Sequence, residues 1–304
     1  MALDSFGRKV TTLRASITEA CNLSCIYCHR EGSSTHGGRE LSVEEFRLAV
    51  EAARRIGISK VKLTGGEPLV RHDAVSFVEA AASVEGVVDV SMTTNGTLLA
   101  ELASKLVEAG LRRVNVSLPS LKTERYRFIT GRDELDRVKE GLFKAVDAGL
   151  DPVKLNVVVL KGINEDELQN LIDFASRVPA ILQLIELERL GRASSRLYDD
   201  LYVDLSNVEQ QLERQASQVV FRGLHNRRKS VLPTGQEVEV VRPFHGRFCM
   251  GCNRLRLTAD GRLKPCLMRE DNAVPLLDAL ASGDLEEVVR RFRRALELRE
   301  PYVL

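Results

Sequence analysis

The sequence predicts an α/β protein with a parallel sheet. Between about residues 12 and 190, six runs rich in β-branched residues alternate with segments of helical periodicity, several of which end at glycine. Strands joined one after another by helices need right-handed crossovers, and such crossovers make neighbouring strands parallel. The pattern fits a doubly wound sheet and also a full or partial barrel.

The individual elements follow in order along the chain. The predicted strands span residues 12–18, 61–64, 87–93, 113–118, 153–160 and 181–188. Ser42 and Asn164 each precede a glutamate by three residues, which predicts a capped helix start at both positions. Gly57, Gly110 and Gly149 stand where a left-handed residue would end a helix.

After Leu190 the alternation stops. A helix is predicted near residues 203–215, short strands follow, and Asp260-Gly261 between two alternating runs predicts a β-hairpin. A last helix is predicted to start near Asp284. We therefore predict two domains, residues 1–200 and residues 201–304.

The charge balance narrows the classes of partner. The 304 residues include 44 Lys and Arg against 43 Asp and Glu, a net charge of +1, which argues against nucleic acid as a partner. No apolar run is long enough for a membrane helix, and the start of the chain lacks the apolar core of a secretory signal. We therefore expect a cytoplasmic protein without a membrane partner. Cysteines in that compartment favour metal ligation or catalysis over disulfides.

Three of the six cysteines follow the first predicted strand as a CxxxCxxC motif, formed by Cys21, Cys25 and Cys28. In a parallel α/β fold this loop lies at the carboxyl end of the sheet, where binding sites are built. A closed zinc site needs four ligands, whereas three thiolates on a four-iron cluster leave one iron open. The motif therefore favours a reactive iron–sulfur cluster over a zinc loop completed by His29.

The other three cysteines, Cys249, Cys252 and Cys266, flank the predicted hairpin. They could form a structural zinc site together with His245, or they could hold a second iron–sulfur cluster. The spacing alone does not separate these two interpretations.

The wider sequence context carries a resemblance to a known family. CxxxCxxC with Tyr27 before its last cysteine, followed by GGEP at residues 65–68, resembles the radical S-adenosylmethionine (SAM) enzymes. The LRxSxT motif at residues 13–18 and the CxxCNRxRxTxxGxxxxCL motif at residues 249–267 are similar to the GTP 3′,8-cyclases, the MoaA family of molybdenum cofactor biosynthesis. This resemblance implies a partial (βα)6 TIM-type barrel whose open side is closed by a C-terminal α+β region.

The resemblance also implies a set of ligands and contacts. One [4Fe-4S] cluster, held by Cys21, Cys25 and Cys28, would bind SAM, and a second, held by Cys249, Cys252 and Cys266, would meet the guanine of GTP. The implied SAM contacts are Tyr27, Gly66, Ser117 and, where the family usually has methionine, Glu188. The implied GTP contacts are Arg14, Lys62, Thr93, Lys154, Arg254, the Leu255 backbone and Arg256.

Elementary chemistry agrees with this assignment. GTP carries about four negative charges, and an enclosed site can hold them only with several cations, for which arginine is well suited. Arg254 and Arg256 are two residues apart on a predicted strand, so both side chains face the same way and predict a fork for one anion.

The implied reaction converts GTP to (8S)-3′,8-cyclo-7,8-dihydroguanosine 5′-triphosphate, after a 5′-deoxyadenosyl radical removes the C3′ hydrogen of GTP. The implied partners are a low-potential electron donor and a cyclic pyranopterin monophosphate synthase that receives the product, and a homodimer is left open. The competing hypotheses are a peptide-modifying enzyme with two clusters and a zinc-stabilised binding protein. The tail, residues 299–304, lacks the double glycine found in many family members.

Overall fold

The computed structural model describes residues 2–32, 38–193, 196–243, 245 and 248–302. The strands are β1 (Thr12–Ser16), β2 (Lys60–Thr64), β3 (Asp89–Thr94), β4 (Arg113–Ser117), β5 (Val153–Val159), β6 (Ile181–Glu186), β7 (Gln218–Arg222), β8 (Arg227–Val231), β9 (Glu237–Val241), β10 (Arg254–Leu257), β11 (Arg262–Lys264) and β12 (Val274–Pro275). The helices are α1 (Val43–Arg55), α2 (Ala74–Ser83), α3 (Leu99–Glu108), α4 (Thr123–Thr130), α5 (Leu135–Asp147), α6 (Leu168–Arg177), α7 (Arg196–Leu201), α8 (Ser206–Gln215), α9 (Leu277–Ser282) and α10 (Leu285–Glu297).

These strands form one sheet in the order β12-β11-β10-β1-β2-β3-β4-β5-β6-β9-β8-β7. The eight central strands, from β10 to β9, are all parallel, and the outer strands pair antiparallel. The predicted parallel α/β alternation is therefore confirmed. Within the described residues no ladder joins β12 to β7, so hydrogen bonds leave the barrel open, as a partial barrel requires.

The local signals explain several of the helix ends. Ser42 and Glu45 form the predicted capping box, with reciprocal hydrogen bonds of 3.2 and 2.9 Å. Gly57, Gly110 and Gly149 all have the positive φ that ends a helix, so those three predictions are confirmed.

The predicted helix start at Asn164 is confirmed, since a 3₁₀ helix begins at Glu165 and leads into α6, but the predicted side-chain cap is wrong. The Asn164 side chain makes no capping hydrogen bond; its Oδ1 accepts the Leu160 N–H at 2.7 Å, and its Nδ2 donates to the carbonyls of Pro119 and Val158. Asn164 is fully buried, and its amide serves the backbone of the surrounding loops because those groups have no water to bond to.

Alternation along the barrel strands separates an apolar outer face from a polar interior. Leu13 and Ala15 of β1 join the main core with Phe46 of α1 and Phe77 of α2, whose rings lie 5.1 Å apart. Arg14, between them in sequence, points to the opposite face. The same alternation on the other central strands lines the interior with polar side chains.

The C-terminal region extends both edges of the barrel sheet. Strand β10 pairs with β1 on one side, and β9 pairs with β6 on the other. The predicted hairpin at Asp260-Gly261 is confirmed, since β10 and β11 are antiparallel and Gly261 has a φ of +79°. The predicted last helix is confirmed as α10, with Asp284 accepting the N–H of Glu287.

Contacts between two turns span the open side of the barrel. The turn Leu224–Asn226 packs against the turn Cys249–Gly251, and the rings of His225 and Phe248 stack with centroids 3.8 Å apart. A Cβ on Gly251 would lie 2.7 Å from the backbone nitrogen of His225, so only glycine allows this approach.

No helix of the described residues is long and apolar enough to cross a membrane.

A buried ion-pair hub ties the C-terminal strands to the barrel. Glu239 of β9 is fully buried and accepts from Lys154 Nζ of β5 at 2.8 Å, and it also pairs with Arg222 and Arg227. Burial alone would raise the pKa of Glu239, but the charges of Lys154 and Arg227 outweigh it and lower the pKa to about 2.

We expect Glu239→Gln to lower the free energy of unfolding by about 3 kcal/mol, because it leaves buried cations without a counter-charge. Since the folded pKa is lowered to about 2 from 4.5, the carboxylate stabilises the fold above pH 4.5 and loses this effect as the pH falls toward 2. The gap between variant and parent should therefore shrink in acid, measured by urea unfolding.

Glu237→Gln on the same strand is the matched control, because Glu237 pairs with Lys229 at a partly exposed position. Equal decreases in the free energy of unfolding of the two variants would contradict the prediction that the buried hub stabilises the fold more than the Glu237–Lys229 pair does.

Candidate active site

The first cysteine trio lies in the loop after β1. Cys28 N–H donates to the Cys25 carbonyl at 3.2 Å, and Leu23 N–H donates to Cys21 Sγ at 3.4 Å, so the backbone folds around the sulfurs. Burial, with the neighbouring Cys28 and Cys21, raises the pKa of Cys25 to about 12. Three converging thiolates that repel one another in this way suit a shared cationic centre, which is the chemistry of an iron–sulfur site.

The GGEP motif packs directly beneath this loop. Gly66 N–H donates to the Thr18 carbonyl at 2.8 Å, and a Cβ on Gly66 would lie 2.2 Å from the Ala20 carbonyl oxygen. A Cβ on Gly65 would lie 2.4 Å from the Thr18 carbonyl oxygen. Both glycines are thus required for the close approach of two backbone segments.

Glu67 of the same motif has a structural role that the sequence analysis missed. Its carboxylate is buried and accepts from Thr94 Oγ1 at 2.6 Å and from the Asn95 N–H at 2.5 Å. The Asn95 side chain in turn donates to Asn22 in the cysteine loop at 2.7 Å. The glutamate therefore connects the end of β3 to the cysteine loop. Its position next to the two glycines was the available signal.

A cavity of about 550 Å³ adjoins the first trio, which is within the usual range for a small-molecule site. Its lining includes all three cysteines, both glycines and Glu31. Tyr27 lies beside the trio. Burial, followed by the neighbouring Cys25 and Cys28, holds the pKa of its hydroxyl well above its usual value. Ser117 ends β4, and the Oε2 atom of Glu188 is buried without a hydrogen-bond partner among the described residues.

Three cations stand side by side on neighbouring strands. Arg14 of β1 is in register with Arg256 of β10 on one side and with Lys62 of β2 on the other. Glu31 joins two of them: it pairs with Arg14, whose Nε lies 2.9 Å from Oε2, and with Arg256 at 2.6 Å. The two guanidinium groups therefore converge on one carboxylate. Sequence reasoning missed Glu31 because nothing in its local pattern marks it.

The interior still holds more positive charge than these partners neutralise. Burial, followed by the charges of Arg14 and Arg254, holds the pKa of Lys62 well below its usual value. Burial, with Arg14 and Arg256, lowers the pKa of Arg254 to about 9. A polyanion would relieve this repulsion.

Arg254 and Arg256 do lie on one face of β10, alternating with buried Leu255 and Leu257. The carboxylate that Arg256 binds is shared with Arg14 on the neighbouring strand, and the two-arginine fork for one anion stays a prediction.

The remaining predicted GTP contacts have different surroundings. Thr93 of β3 is in register with Asn115 of β4, whose side chain accepts from Lys62 Nζ at 2.6 Å. Lys154 is committed to Glu239, and burial lowers the pKa of the Lys154 ammonium to about 8. Leu255 is in register with Leu13, and its side chain lies in the core, which leaves only its backbone for a ligand.

The second cysteine trio lies on the β10 side of the barrel. Cys252 N–H donates to the Cys249 carbonyl at 3.1 Å, and Met268 N–H donates to Cys266 Sγ at 3.4 Å. Burial raises the pKa of the Cys266 thiol, Cys252 and Cys249 raise it further, and Arg256 opposes them. The three sulfurs therefore act on one another, as in the first trio.

The zinc interpretation of this trio needs His245 as the fourth ligand, but the structure gives that histidine other partners. His245 Nε2 lies 3.1 Å from the Tyr202 hydroxyl and 3.4 Å from Glu186 Oε2. Its ring is thus engaged with carboxylate and phenol rather than with the cysteines.

Comparison with known sequences gives consistent matches. The chain matches the radical SAM superfamily over residues 15–175 and the family "Molybdenum Cofactor Synthesis C" over residues 180–304. It is 49% identical over 308 residues to a protein of Pyrococcus abyssi named "Probable GTP 3′,8-cyclase", covering 99% of each chain. Proteins with the same name from Methanothermobacter marburgensis and Methanocaldococcus jannaschii are 45% and 41% identical and cover 98% of each chain.

Solved structures share the fold at low sequence identity. SuiB of Streptococcus suis bound to S-adenosylmethionine matches 91% of this chain and 65% of its own, with a TM-score of 0.67 and 15% identity. The protein anSMEcpe with bound AdoMet matches 97% of this chain and 84% of its own, with a TM-score of 0.61 and 15% identity. Their likeness confirms the predicted fold class, a partial barrel.

We expect Gly66→Ala to remove about half of the bound iron and to weaken SAM binding, because the added Cβ must push residues 19–20, at the start of the cysteine loop, away from the GGEP motif. Iron and sulfide analysis of anaerobically reconstituted protein measures the first effect, and equilibrium dialysis with labelled SAM measures the second.

Gly223→Ala is the control, since a Cβ at that position meets nothing within 4 Å and the φ of −63° suits alanine. Full iron content and unchanged SAM affinity in Gly66→Ala would show that cluster and SAM binding do not need the close approach of these two backbone segments.

Proposed function

The chain belongs to the GTP 3′,8-cyclase family of radical SAM enzymes, and from this premise we propose which of its residues bind the clusters, SAM and GTP. The enzyme converts GTP to (8S)-3′,8-cyclo-7,8-dihydroguanosine 5′-triphosphate in the first step of molybdenum cofactor biosynthesis. One observation best supports this assignment of residues. Glu31 lines the cavity beside the first trio and also binds Arg256, whose charge acts on the second trio, so a single interior connects both.

The cofactors are SAM and two [4Fe-4S] clusters, and both thiolate trios fit such clusters by their number and mutual proximity. When bound, the first cluster supplies the electron that cleaves SAM, and the 5′-deoxyadenosyl radical so formed removes the C3′ hydrogen of GTP before C3′ bonds to C8. In our proposal Cys21, Cys25 and Cys28 hold this cluster. The second cluster is held by Cys249, Cys252 and Cys266.

The SAM-binding residues in our proposal surround the cavity beside the first trio. The exposed backbone edge at Gly66 receives the amino group of SAM, and Tyr27 and Ser117 contact the rest of the molecule. Glu188 accepts the ribose hydroxyls, because its buried Oε2 needs a donor that the described residues do not provide.

The GTP-binding residues in our proposal are the cations of the interior together with polar groups beside them. Arg14, Arg256, Arg254 and Lys62 hold the triphosphate, because an anion relieves their mutual repulsion. The triphosphate competes with the Glu31 carboxylate for Arg14 and Arg256. Thr93, Lys154 and the Leu255 backbone contact the nucleoside or the innermost phosphate.

The barrel interior also protects the reaction. A primary carbon radical reacts with nearly any C–H bond that it meets, so the protein must hold both substrates in line and keep water and other groups away. The turn contact between His225 and Phe248, which spans the open side of the barrel, contributes to that enclosure.

We extend the proposal to the cellular context. A low-potential electron donor reduces the first cluster, a cyclic pyranopterin monophosphate synthase takes the product, and the enzyme acts in the cytoplasm. We also propose residue 200 as the boundary between the barrel domain and the C-terminal domain.

The abstraction site can be tested with GTP deuterated at C3′. We expect deuterium in the 5′-deoxyadenosine formed by reconstituted enzyme with SAM and a reductant, detected by mass spectrometry, because the radical takes that hydrogen directly. GTP deuterated at C8 is the control and should give unlabelled 5′-deoxyadenosine. Unlabelled product from the C3′ substrate would exclude abstraction at this carbon.

The two binding regions can be separated by a crossed experiment. Arg256→Lys should raise KM for GTP about tenfold, since losing a bidentate charge-assisted contact costs about 1.4 kcal/mol, and should leave KM for SAM unchanged. Glu188→Gln should raise KM for SAM and leave KM for GTP unchanged. Each variant is the control for the other, with iron content checked in both. Parallel changes in both constants would contradict the assignments.

A further inference from the structure

Both ends of the chain meet at the backbone of the second cysteine trio. Arg8 Nη1 donates to the Cys249 carbonyl at 2.9 Å, and Arg299 Nη2 donates to the Cys252 carbonyl at 3.0 Å. These contacts join residues separated by 241 and 47 positions in the sequence. Two arginines from opposite termini therefore hold the two ends of one short turn.

Asp4 links the two arginines. Its Oδ2 accepts from Arg8 Nε at 2.7 Å and also from Arg299 Nη1. Its Oδ1 accepts the backbone N–H groups of Phe6 at 3.0 Å and Arg8 at 2.9 Å, which fixes the carboxylate within a tight turn. We call Asp4, Arg8 and Arg299 the terminal clasp.

Burial makes this clasp more than a surface ion pair. Arg299 is 1% exposed, and Arg8 and Asp4 are each 7% exposed. The clasp contains two positive charges and one negative charge, so it carries excess positive charge next to three thiolates. Among the described residues, Arg8 Nη2 and Arg299 Nε are buried without a hydrogen-bond partner, so the clasp has donors to spare.

The tail is anchored around the clasp at further points. Ser5 Oγ donates to the Glu297 carbonyl at 3.1 Å, and Asn272 Nδ2 donates to the Leu298 carbonyl at 3.1 Å. Arg299 therefore reaches the trio from a fixed backbone. Val303 and Leu304 lie outside the described residues.

We propose that Asp4, Arg8 and Arg299 are positioning residues for the second cluster: they fix the Cys249–Gly251 turn and set the cluster's reduction potential through their excess positive charge. This inference rests on the proposed function, because it assumes a four-iron cluster on the second trio. Such a cluster on three thiolates is net negative and becomes more so on reduction, so a nearby positive charge favours the reduced state.

The test uses the full chain with Cys21, Cys25 and Cys28 replaced by alanine, so that only the second cluster is reconstituted. Its midpoint potential and electron paramagnetic resonance spectrum are then measured in single variants of the clasp. If this parent binds no four-iron cluster, the proposed function fails at that point, before the clasp is tested.

The expected shifts have opposite signs. Arg299→Gln removes a positive charge and should make the midpoint potential more negative, whereas Asp4→Asn removes a negative charge and should make it more positive. A purely structural loosening would admit water, which favours the more highly charged reduced cluster and would raise the potential in both variants. Arg299→Lys keeps the charge and should restore most of the parent potential.

Arg269→Gln is the matched control. Arg269 pairs with Asp271 and with Glu300 in the same tail, at a partly exposed position, and donates to neither cysteine carbonyl. We expect its potential to equal that of the parent. Unchanged potentials in Arg299→Gln and Asp4→Asn, or shifts of the same sign in both, would overturn the proposal. Loss of the cluster in Arg299→Gln together with its loss in Arg299→Lys would also overturn it.

Discussion

The interior of this barrel is organised by the repulsion between cations on neighbouring strands. Arg256, Arg14 and Lys62 are in register on β10, β1 and β2, and Arg254 lies two residues from Arg256. An arrangement of this kind is unfavourable in a low-dielectric space unless an anion joins it. In the free chain Glu31 supplies one carboxylate, and the rest of the charge remains available for a substrate with about four negative charges.

The fold tolerates this charge because other ion pairs stabilise the frame around it. Glu239 pairs with Lys154 and with the arginines of β7 and β8, and it thereby joins the C-terminal strands to the barrel. Glu67 binds backbone and hydroxyl donors at the end of β3 and supports the cysteine loop. Glu239 and Glu67 thus support the frame of the barrel, whereas Glu31 binds two of the interior cations directly.

The sequence predicted the parts of this arrangement that depend on local pattern. Strand alternation placed Arg254 and Arg256 on one face, glycine marked three helix ends, family resemblance implied Arg14 and Lys62 as GTP contacts, and the two cysteine trios were found by spacing together with that resemblance. The partners of these residues were not predictable, because Glu31 and Arg256 are 225 positions apart and Asp4 and Arg299 are 295 apart. Asn164 shows the same limit at short range, since its amide follows the tertiary surroundings rather than its capping pattern.

The two thiolate trios differ in how the chain supports them. The first lies on a loop held from below by two glycines and Glu67, all within the barrel, so its geometry depends on close backbone packing. The second lies on a turn packed against Leu224–Asn226 and joined to both termini by arginines. Hydrogen bonds and charges around an iron–sulfur cluster set its position and its reduction potential. The described contacts of the second trio thus include the buried positive charges of Arg8 and Arg299, whereas the buried group that supports the first trio is the Glu67 carboxylate.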